Sequence, residues 1–390
     1  MLNILNKLRG DKVIWTVVII LSVFSILAVY SSTGTLAYKK QGGNTEFYLI
    51  RHFFIILLGF IFIYLAHLVK HTYYSRISQI ALIISIPLLL LTLIIGTNYQ
   101  ASRWLTLPGI NVSFQTSDFA KLALIMYLSR VLSKKQGQIT NFKSVFLTIM
   151  LPILIVCGLI LPANFSTSAM LFIICIIIMF IGRVNIKYIL YLVTISAASF
   201  FLYVTILSNL SEGKQDRLPT WESRWQSFKN KSNEPGGQVE QAKIAIATGG
   251  LFGKSPGKST QRNFLSCAYS DFIFAIIIEE YGLIGGIVLI LMYLILLFRG
   301  IKIATKTPRY FGTFLTMGCC FSLVFQAFIN VAVAVNILPV TGQTLPFVSM
   351  GGTSILFMSI TVGIMLSVSK ETEKKLKPAI INEISKSKDN

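Results

Sequence analysis

The chain has 390 residues, 54% of them hydrophobic and only 13% charged. Soluble globular domains carry about 25% charged residues. A soluble fold of this length could not hide so many apolar residues, so the composition points to an integral membrane protein. The formal net charge of +20 invites a nucleic-acid reading. The cations instead cluster between alternate apolar runs, as a membrane topology signal does, and no nucleic-acid partner is expected.

A helix needs roughly 20 apolar residues to cross the hydrocarbon core. In chain order, predicted spans cover Val13–Thr33, Ile50–Val69, Ile77–Gly96, Val145–Leu161, Ser168–Gly182 and Ile186–Leu207. Three more follow at Phe272–Phe298, Tyr310–Val333 and Thr353–Val368. A charged candidate between Phe114 and Leu132 brings the expectation to ten. The first run is too long for the h-region of a cleavable signal, so it reads as a retained helix. Cations before the first span and after the second, fourth, sixth, eighth and tenth place both termini in the cytoplasm. Lys39, Lys40 and Arg51 are exceptions on the outer side.

This is an all-α polytopic fold with one membrane domain over 1–369 and a lysine-rich cytoplasmic tail over 370–390. A large extracytoplasmic loop, 208–271, separates the seventh and eighth spans. Loops longer than about 15 residues are uncommon unless functional. This one holds Trp221 and Trp225 in a basic stretch. It then holds an apolar stripe at Val239, Ala242, Ile246 and Ala247, which predicts a short amphipathic helix on the membrane surface or over a cavity. Four of the five cysteines fall in predicted spans as small packing residues. Cys267 lies in the loop, and no spacing suggests a metal site.

Several polar residues stand where chemistry could use them. Asp271 closes the loop at a membrane boundary; it reads either as the N-cap of the next helix or as a general base. Glu279 and Glu280 sit inside the following apolar run, either pointing into the bundle or a cavity, where they could bind a cation or pair with an internal lysine, or lying at the interface. Asp118 and Lys121, three apart, share a helix face and either neutralise each other or line a polar cavity for an anionic headgroup. Arg103 beside Trp104 is an interfacial anchor or a cation at the outer mouth. The glycine-rich stretch Gly249–Thr260 is not a Walker motif, yet its backbone with Lys254 and Lys258 could cradle phosphate. Pro339–Thr353 holds too many prolines and glycines for a helix, so a re-entrant or mouth-lining segment is expected.

These segments resemble the SEDS family (shape, elongation, division and sporulation). Arg103-Trp-Leu and Phe114-Gln-Thr-Ser-Asp-Phe-Ala-Lys-Leu122 are similar to the family's Arg-Trp and Gln-Pro-Ser-Glu-x-x-Lys patterns, with Thr116 for proline and Asp118 for glutamate. Ile244–Gly253, Gly257-x-x-Thr-Gln261, Asp271-Phe-Ile-Phe-Ala, Glu279-Glu-Tyr-Gly282 and Pro339–Gly352 match in order. One departure stands out: Asn164 occupies a position where the family often has Asp. The opening Val29-Tyr-Ser-Ser inclines the resemblance toward the FtsW branch over the RodA branch.

The resemblance implies ten membrane helices and peptidoglycan glycosyltransferase activity on lipid II, during division or, on the alternative branch, elongation. It implies a class B penicillin-binding protein as partner, with other division or elongation proteins. It moves Asp271 from helix cap to catalytic residue. Substrate-binding roles are expected for Arg103, Asp118, Lys121, Arg224, Lys254, Lys258, Gln261, Glu279, Glu280 and Ser349. A divalent cation, Mg or Mn, is the cofactor to consider, although no ligand set is legible. A lipid II flippase and a scaffold that only recruits the partner are the rival readings.

Overall fold

The structure is a computed structural model that describes residues 10–42, 44–95, 104–106, 113–135, 142–210, 228, 237–265 and 268–388. Its helices are α1 (Lys12–Ser32), α2 (Gly34–Gln41), α3 (Thr45–Leu68), α4 (His71–Ile95), α5 (Thr116–Lys134) and α6 (Phe142–Ile160). There follow α7 (Phe165–Ile181), α8 (Ile186–Leu210), α9 (Gln238–Gly249), α10 (Ile273–Lys306), α11 (Tyr310–Ala334) and α12 (Thr353–Lys388). A short antiparallel pair, β1 (Trp104–Thr106) and β2 (Ser113–Gln115), leads into α5.

Eight of the described helices are long and apolar enough to cross a membrane. Two others, α5 and the 17-residue α7, pack among them, and together these occupy the ten positions read from the sequence. The apolar core is continuous: Leu124, Ile125 and Leu128 of α5 pack with Ile174 and Ile178 of α7 and with Leu315 and Leu323 of α11. Helix α8 is different. Only 6% of its apolar window is buried, so it leans on α7 and presents the rest of its surface to lipid.

Polar residues define the two ends of the bundle. Asp11 caps α1 through its carboxylate, which accepts from the Val13 amide at 2.9 Å. The same carboxylate pairs with Arg299 near the end of α10, at 2.9 Å from Nε. At the opposite end lie α9, the start of α10 and the non-helical stretch between α11 and α12.

The amphipathic helix expected in the long loop is α9. Its buried side is Ala242, Ala245 and Gly249, flanked by partly buried Val239 and Ile246; Ala247 is exposed. The predicted face was therefore right in direction but one turn position off. Helix α9 packs on Phe272, Ala275 and Ile276 of the loop–α10 junction and on Val333 of α11, against protein and not against lipid. Gly249 permits the contact: a Cβ there would lie 2.2 Å from the Ile278 carbonyl oxygen.

Candidate active site

Four stretches converge on one cavity of about 800 Å3. The first is Tyr269–Asp271, which closes the long loop. The second is the segment between α11 and α12, where Gly342–Thr344 and Met350–Gly352 face the space. Gln115 and Asp118, at the start of α5, form the third. Tyr48 and Arg51, from the first turns of α3, form the fourth.

Asp271 does not cap a helix. Helix α10 begins at Ile273 with Phe272 at the cap position, where no side-chain cap bond forms. The Asp271 carboxylate accepts from Ser270 Oγ at 3.0 Å and is half-buried on the cavity wall. Its backbone is tied from behind, since Asn330 Nδ2 donates to the Asp271 carbonyl at 2.9 Å and to the Gln343 carbonyl at 2.7 Å. One buried amide of α11 thus fixes both the loop end and the opposing segment.

That opposing segment is non-helical and deep, as its prolines and glycines predicted. Several of its backbone groups are satisfied by buried side chains, as backbone shielded from water requires. Gln326 Nε2 donates to the Thr344 carbonyl at 3.0 Å, and Tyr293 Oη to the Pro346 carbonyl at 2.5 Å. Gln343 reaches away to Thr167 Oγ1 at 2.6 Å. Thr167 lies in the first turn of α7, which Asn164 caps by accepting from the Thr167 amide at 3.4 Å.

Asp118 and Lys121 form a buried pair at 3.3 Å on α5, and Lys121 Nζ also donates to Gln326 Oε1 at 3.1 Å. Asp118 lines the cavity, and its Oδ2 is buried without a hydrogen-bond partner among the described residues. Lys121 lies behind it. The charges neutralise one another, and the carboxylate of the pair faces a polar space while the lysine does not line it.

The predicted acidic pair Glu279–Glu280 is elsewhere. Both side chains are enclosed, at 0% and 1% exposure, by the glycine-rich stretch that follows α9. Glu279 accepts from Lys254 Nζ at 2.7 Å, the Thr260 amide at 3.1 Å, Thr260 Oγ1 at 2.9 Å, the Gln261 amide at 3.2 Å and Ser259 Oγ. Glu280 accepts from Ser31 Oγ of α1, and Arg262 holds the Ser31 carbonyl at 2.9 Å. The reason for this turn is Gly282, whose left-handed φ of 71° breaks α10. At the break the Lys254 and Ser255 amides bond to the Glu279 and Glu280 carbonyls at 2.9 and 3.1 Å. A Cβ on Gly282 would lie 2.1 Å from the Leu251 carbonyl oxygen.

This placement corrects several sequence expectations. Lys254, Gln261, Glu279 and Glu280 are not among the residues that line the Asp271 cavity; they form a structural clasp in which Glu279 gathers the donors of Lys254, Ser259, Thr260 and the Gln261 amide. The supposed phosphate cradle is that clasp, and Lys258 is exposed on its outside. Ser349 is 1% exposed and acts as a brace: its Oγ donates to the Ser270 carbonyl at 2.6 Å and accepts from the Leu345 amide at 2.7 Å. Arg103, Arg224, Trp221, Trp225 and Cys267 lie outside the described residues. Arg51 and Gln326 line the cavity and Asn330 braces it from behind, and none of the three is among the expected site residues. Arg51 had been noted only as a charge exception. Gln326 and Asn330, four apart in apolar α11, were the available signal for a polar helix face.

Among the described residues, no three His, Cys, Asp or Glu side chains gather as a metal site. The cavity offers two carboxylates, Asp118 and Asp271, with amide oxygens nearby.

Comparison with known proteins agrees with this architecture. The family model described as "Cell cycle protein" (FtsW, RodA, SpoVE) matches residues 11–374. A protein named "Probable peptidoglycan glycosyltransferase FtsW" from Geobacter sp. (strain M18) is 32% identical, covering 94% of this chain and 98% of that one. Stage V sporulation protein E of Bacillus subtilis (strain 168) is also 32% identical, over 94% and 98% of the two chains. The crystal structure of the Thermus thermophilus rod shape determining protein RodA superposes with a TM-score of 0.67 at 22% identity, covering 94% and 99%. A chain from a structure titled for a peptidoglycan synthase complex that coordinates polymerization and crosslinking gives 0.68, covering 93% and 98%.

Proposed function

This chain belongs to the family of cell cycle proteins that includes FtsW, RodA and SpoVE and is a peptidoglycan glycosyltransferase, and we propose that it polymerises lipid II at the Asp271 cavity, with Asp271 as general base. The single observation that carries this reading is the placement of Asp271: a half-buried carboxylate on a cavity wall, released from helix capping and held from behind by Asn330.

Asp271 takes the proton from the 4-hydroxyl of the acceptor sugar, and that oxygen attacks the anomeric carbon of the donor. The bond to undecaprenyl pyrophosphate breaks, and the leaving group departs as an anion. Positioned cations stabilise such developing charge. Arg51 is the described cation that lines the cavity, and Lys121 acts on it through Asp118 and Gln326. Cavities of about 300–1,000 Å3 suit small-molecule-sized groups. The present one accommodates the sugar and pyrophosphate portion, while the polyprenyl tail stays in lipid beside exposed helices such as α8. A Mg or Mn ion fits this donor set in chemical type, because Asp118 Oδ2 is a buried hard oxygen without a hydrogen-bond partner among the described residues. Asp118 and Asp271 would hold it, and it would supply charge neutralisation to the pyrophosphate.

The cavity end of the bundle faces outward in this reading and both termini lie in the cytoplasm. Labelling of Cys267 with an impermeant thiol reagent from outside checks that orientation. The partner is a class B penicillin-binding transpeptidase, and the FtsW-like relatives support a role in division, which imaging at the septum against the side wall tests.

The decisive experiment gives lipid II to the purified protein, alone and with its partner, and resolves the glycan strands. General bases contribute about 10²–10⁴-fold, so Asp271→Asn should lower polymerisation by about that factor with an unchanged unfolding temperature. Persistent polymerisation by Asp271→Asn would sink the assignment. An inactive wild-type protein that moves lipid II across vesicles would replace it with transport.

A further inference from the structure

A second, basic cavity opens at the far end of the bundle from Asp271. Helix α5 connects the two: Asp118 at its start lines the first cavity, and Arg130 and Lys134 at its end line the second. At about 1.5 Å per residue, this places them roughly 20 Å apart along the helix. The second cavity has a volume of about 310 Å3. Arg76 from the first turns of α4 and Arg309 just before α11 complete its wall, so among the described residues four cations and no carboxylate line it.

A topology signal explains why these cations are on one side of the membrane; it does not explain why they converge around a hollow. The arrangement is also built. Arg130 is anchored by donating to the Ser75 carbonyl, and Arg76 lies over the Tyr73 ring at 6.0 Å. Glu371, which lines a small adjoining hollow with His71 and Arg309, is turned to His71 at 2.9 Å, and the His71 ring stacks on Phe311 at the cavity's edge. Ser75 and Thr72 add polar lining. Tyr73 and Tyr310 beside the opening are 51% and 60% exposed, as aromatic residues at the headgroup level of a bilayer are.

Concentrated cations of this kind require a counter-ion. The fork geometry of arginine matches the oxygens of phosphate, and basic hollows between membrane helices take lipid headgroups. We propose that this cavity is a binding site for a phosphate-bearing anion, and that the headgroup of an anionic phospholipid in the adjoining leaflet is its source. The orientation argued above makes that leaflet cytoplasmic, but the site itself does not depend on the glycosyltransferase reading.

The test uses the full chain reconstituted with equal amounts of phosphatidylglycerol and phosphatidylcholine, then extracted for native mass spectrometry. Wild type should retain phosphatidylglycerol preferentially. Arg76→Gln with Arg309→Gln, two exposed side chains, should reduce that preference roughly tenfold. Lys302→Gln, an exposed cation at the same end but outside the cavity, should leave it unchanged. Unfolding temperature in lipid-free detergent, equal for all three proteins, keeps the comparison free of folding defects. Inorganic phosphate provides the second arm: if millimolar phosphate raises the wild-type unfolding temperature and the double variant loses that rise, the site stands and its ligand is a soluble anion. Equal retention of both lipids with no phosphate response would overturn the proposal. So would a loss in Lys302→Gln as large as that in the double variant, because the effect would then be diffuse surface charge.

Discussion

Asp271 and Glu279 are eight residues apart in sequence and at the same end of the bundle, one just before the apolar helix α10 and the other in its first turns. Their surroundings are opposite. Glu279 is fully enclosed by Lys254, Ser259, Thr260 and the Gln261 amide. Asp271 has its backbone held while its carboxylate stays at a cavity wall. A carboxylate whose lone pairs are consumed by fixed donors cannot take a proton from a substrate, whereas one facing a roomy polar space can. Proximity to an active site therefore says little by itself; where the oxygens point decides.

The sharpest way to break this contrast is to neutralise each member. Glu279→Ala leaves Lys254, Thr260 and the Gln261 amide without their acceptor and should cost about 3–5 kcal/mol, as for a broken buried charge pair. The readout is a lowered unfolding temperature in detergent, with near-normal turnover by the protein that remains folded. Asp271→Asn should show the reverse: normal unfolding temperature and lost turnover. Finding the same signature in both would dissolve the distinction.

A smaller effect is expected where the two behaviours meet. Gln326→Leu removes the amide that accepts from Lys121 and donates to the Thr344 carbonyl. Leaving those buried groups unsatisfied should cost about 1–3 kcal/mol. Because the Thr344 segment and Asp118 both line the cavity, turnover should fall as well, by about tenfold. Stability loss with unaltered turnover would show that Lys121 and Gln326 belong with the Glu279 clasp and not with the cavity. Ser349→Ala should come next: losing the bond to the Ser270 carbonyl should cost about 1 kcal/mol, with a modest fall in turnover because Ser270 precedes Asp271.

The same contrast explains what could be read from the sequence. The spans were legible because apolar run length is a local property. The mouth-lining segment was legible because Pro339, Pro346 and the glycines around them forbid a helix. Pairing of Glu279 and Glu280 with an internal lysine was open to sequence reading, but which lysine was not, because the partners come from Lys254–Arg262, and that meeting depends on a left-handed Gly282 inside an apolar run. No periodicity records such a contact. Gln326 and Asn330 were passed over because uncharged amides in an apolar helix look like packing residues until the carbonyls they hold are known. Ser349 was drawn into the site by motif position, although its hydroxyl is turned to the backbone that carries Asp271. In α9, Ala247 and Ala245 are chemically alike, so composition could not say which faced the protein.

Asn164 gives the smallest effect and a clean limit to the comparison. The family resemblance marks Asn164 as a departure from a pattern that often has Asp there, which puts any role carried over to this position in doubt. In the structure its side chain caps α7, 4% exposed, by accepting from the Thr167 amide at 3.4 Å. Asn and Asp are nearly equivalent N-caps. An aspartate would gain up to about 1 kcal/mol from the helix dipole, and would lose part of that by desolvation in a buried position. Asn164→Asp should therefore shift the unfolding temperature little and leave turnover within about twofold of wild type. Asn164→Ala should lower stability by about 1 kcal/mol and slacken Gln343, which depends on Thr167 for its 2.6 Å bond. A gain in turnover of tenfold or more from Asn164→Asp would contradict this, since a cap adds no chemistry. It would mean that a carboxylate at this position acts on the substrate and that Asp271 shares the reaction with it.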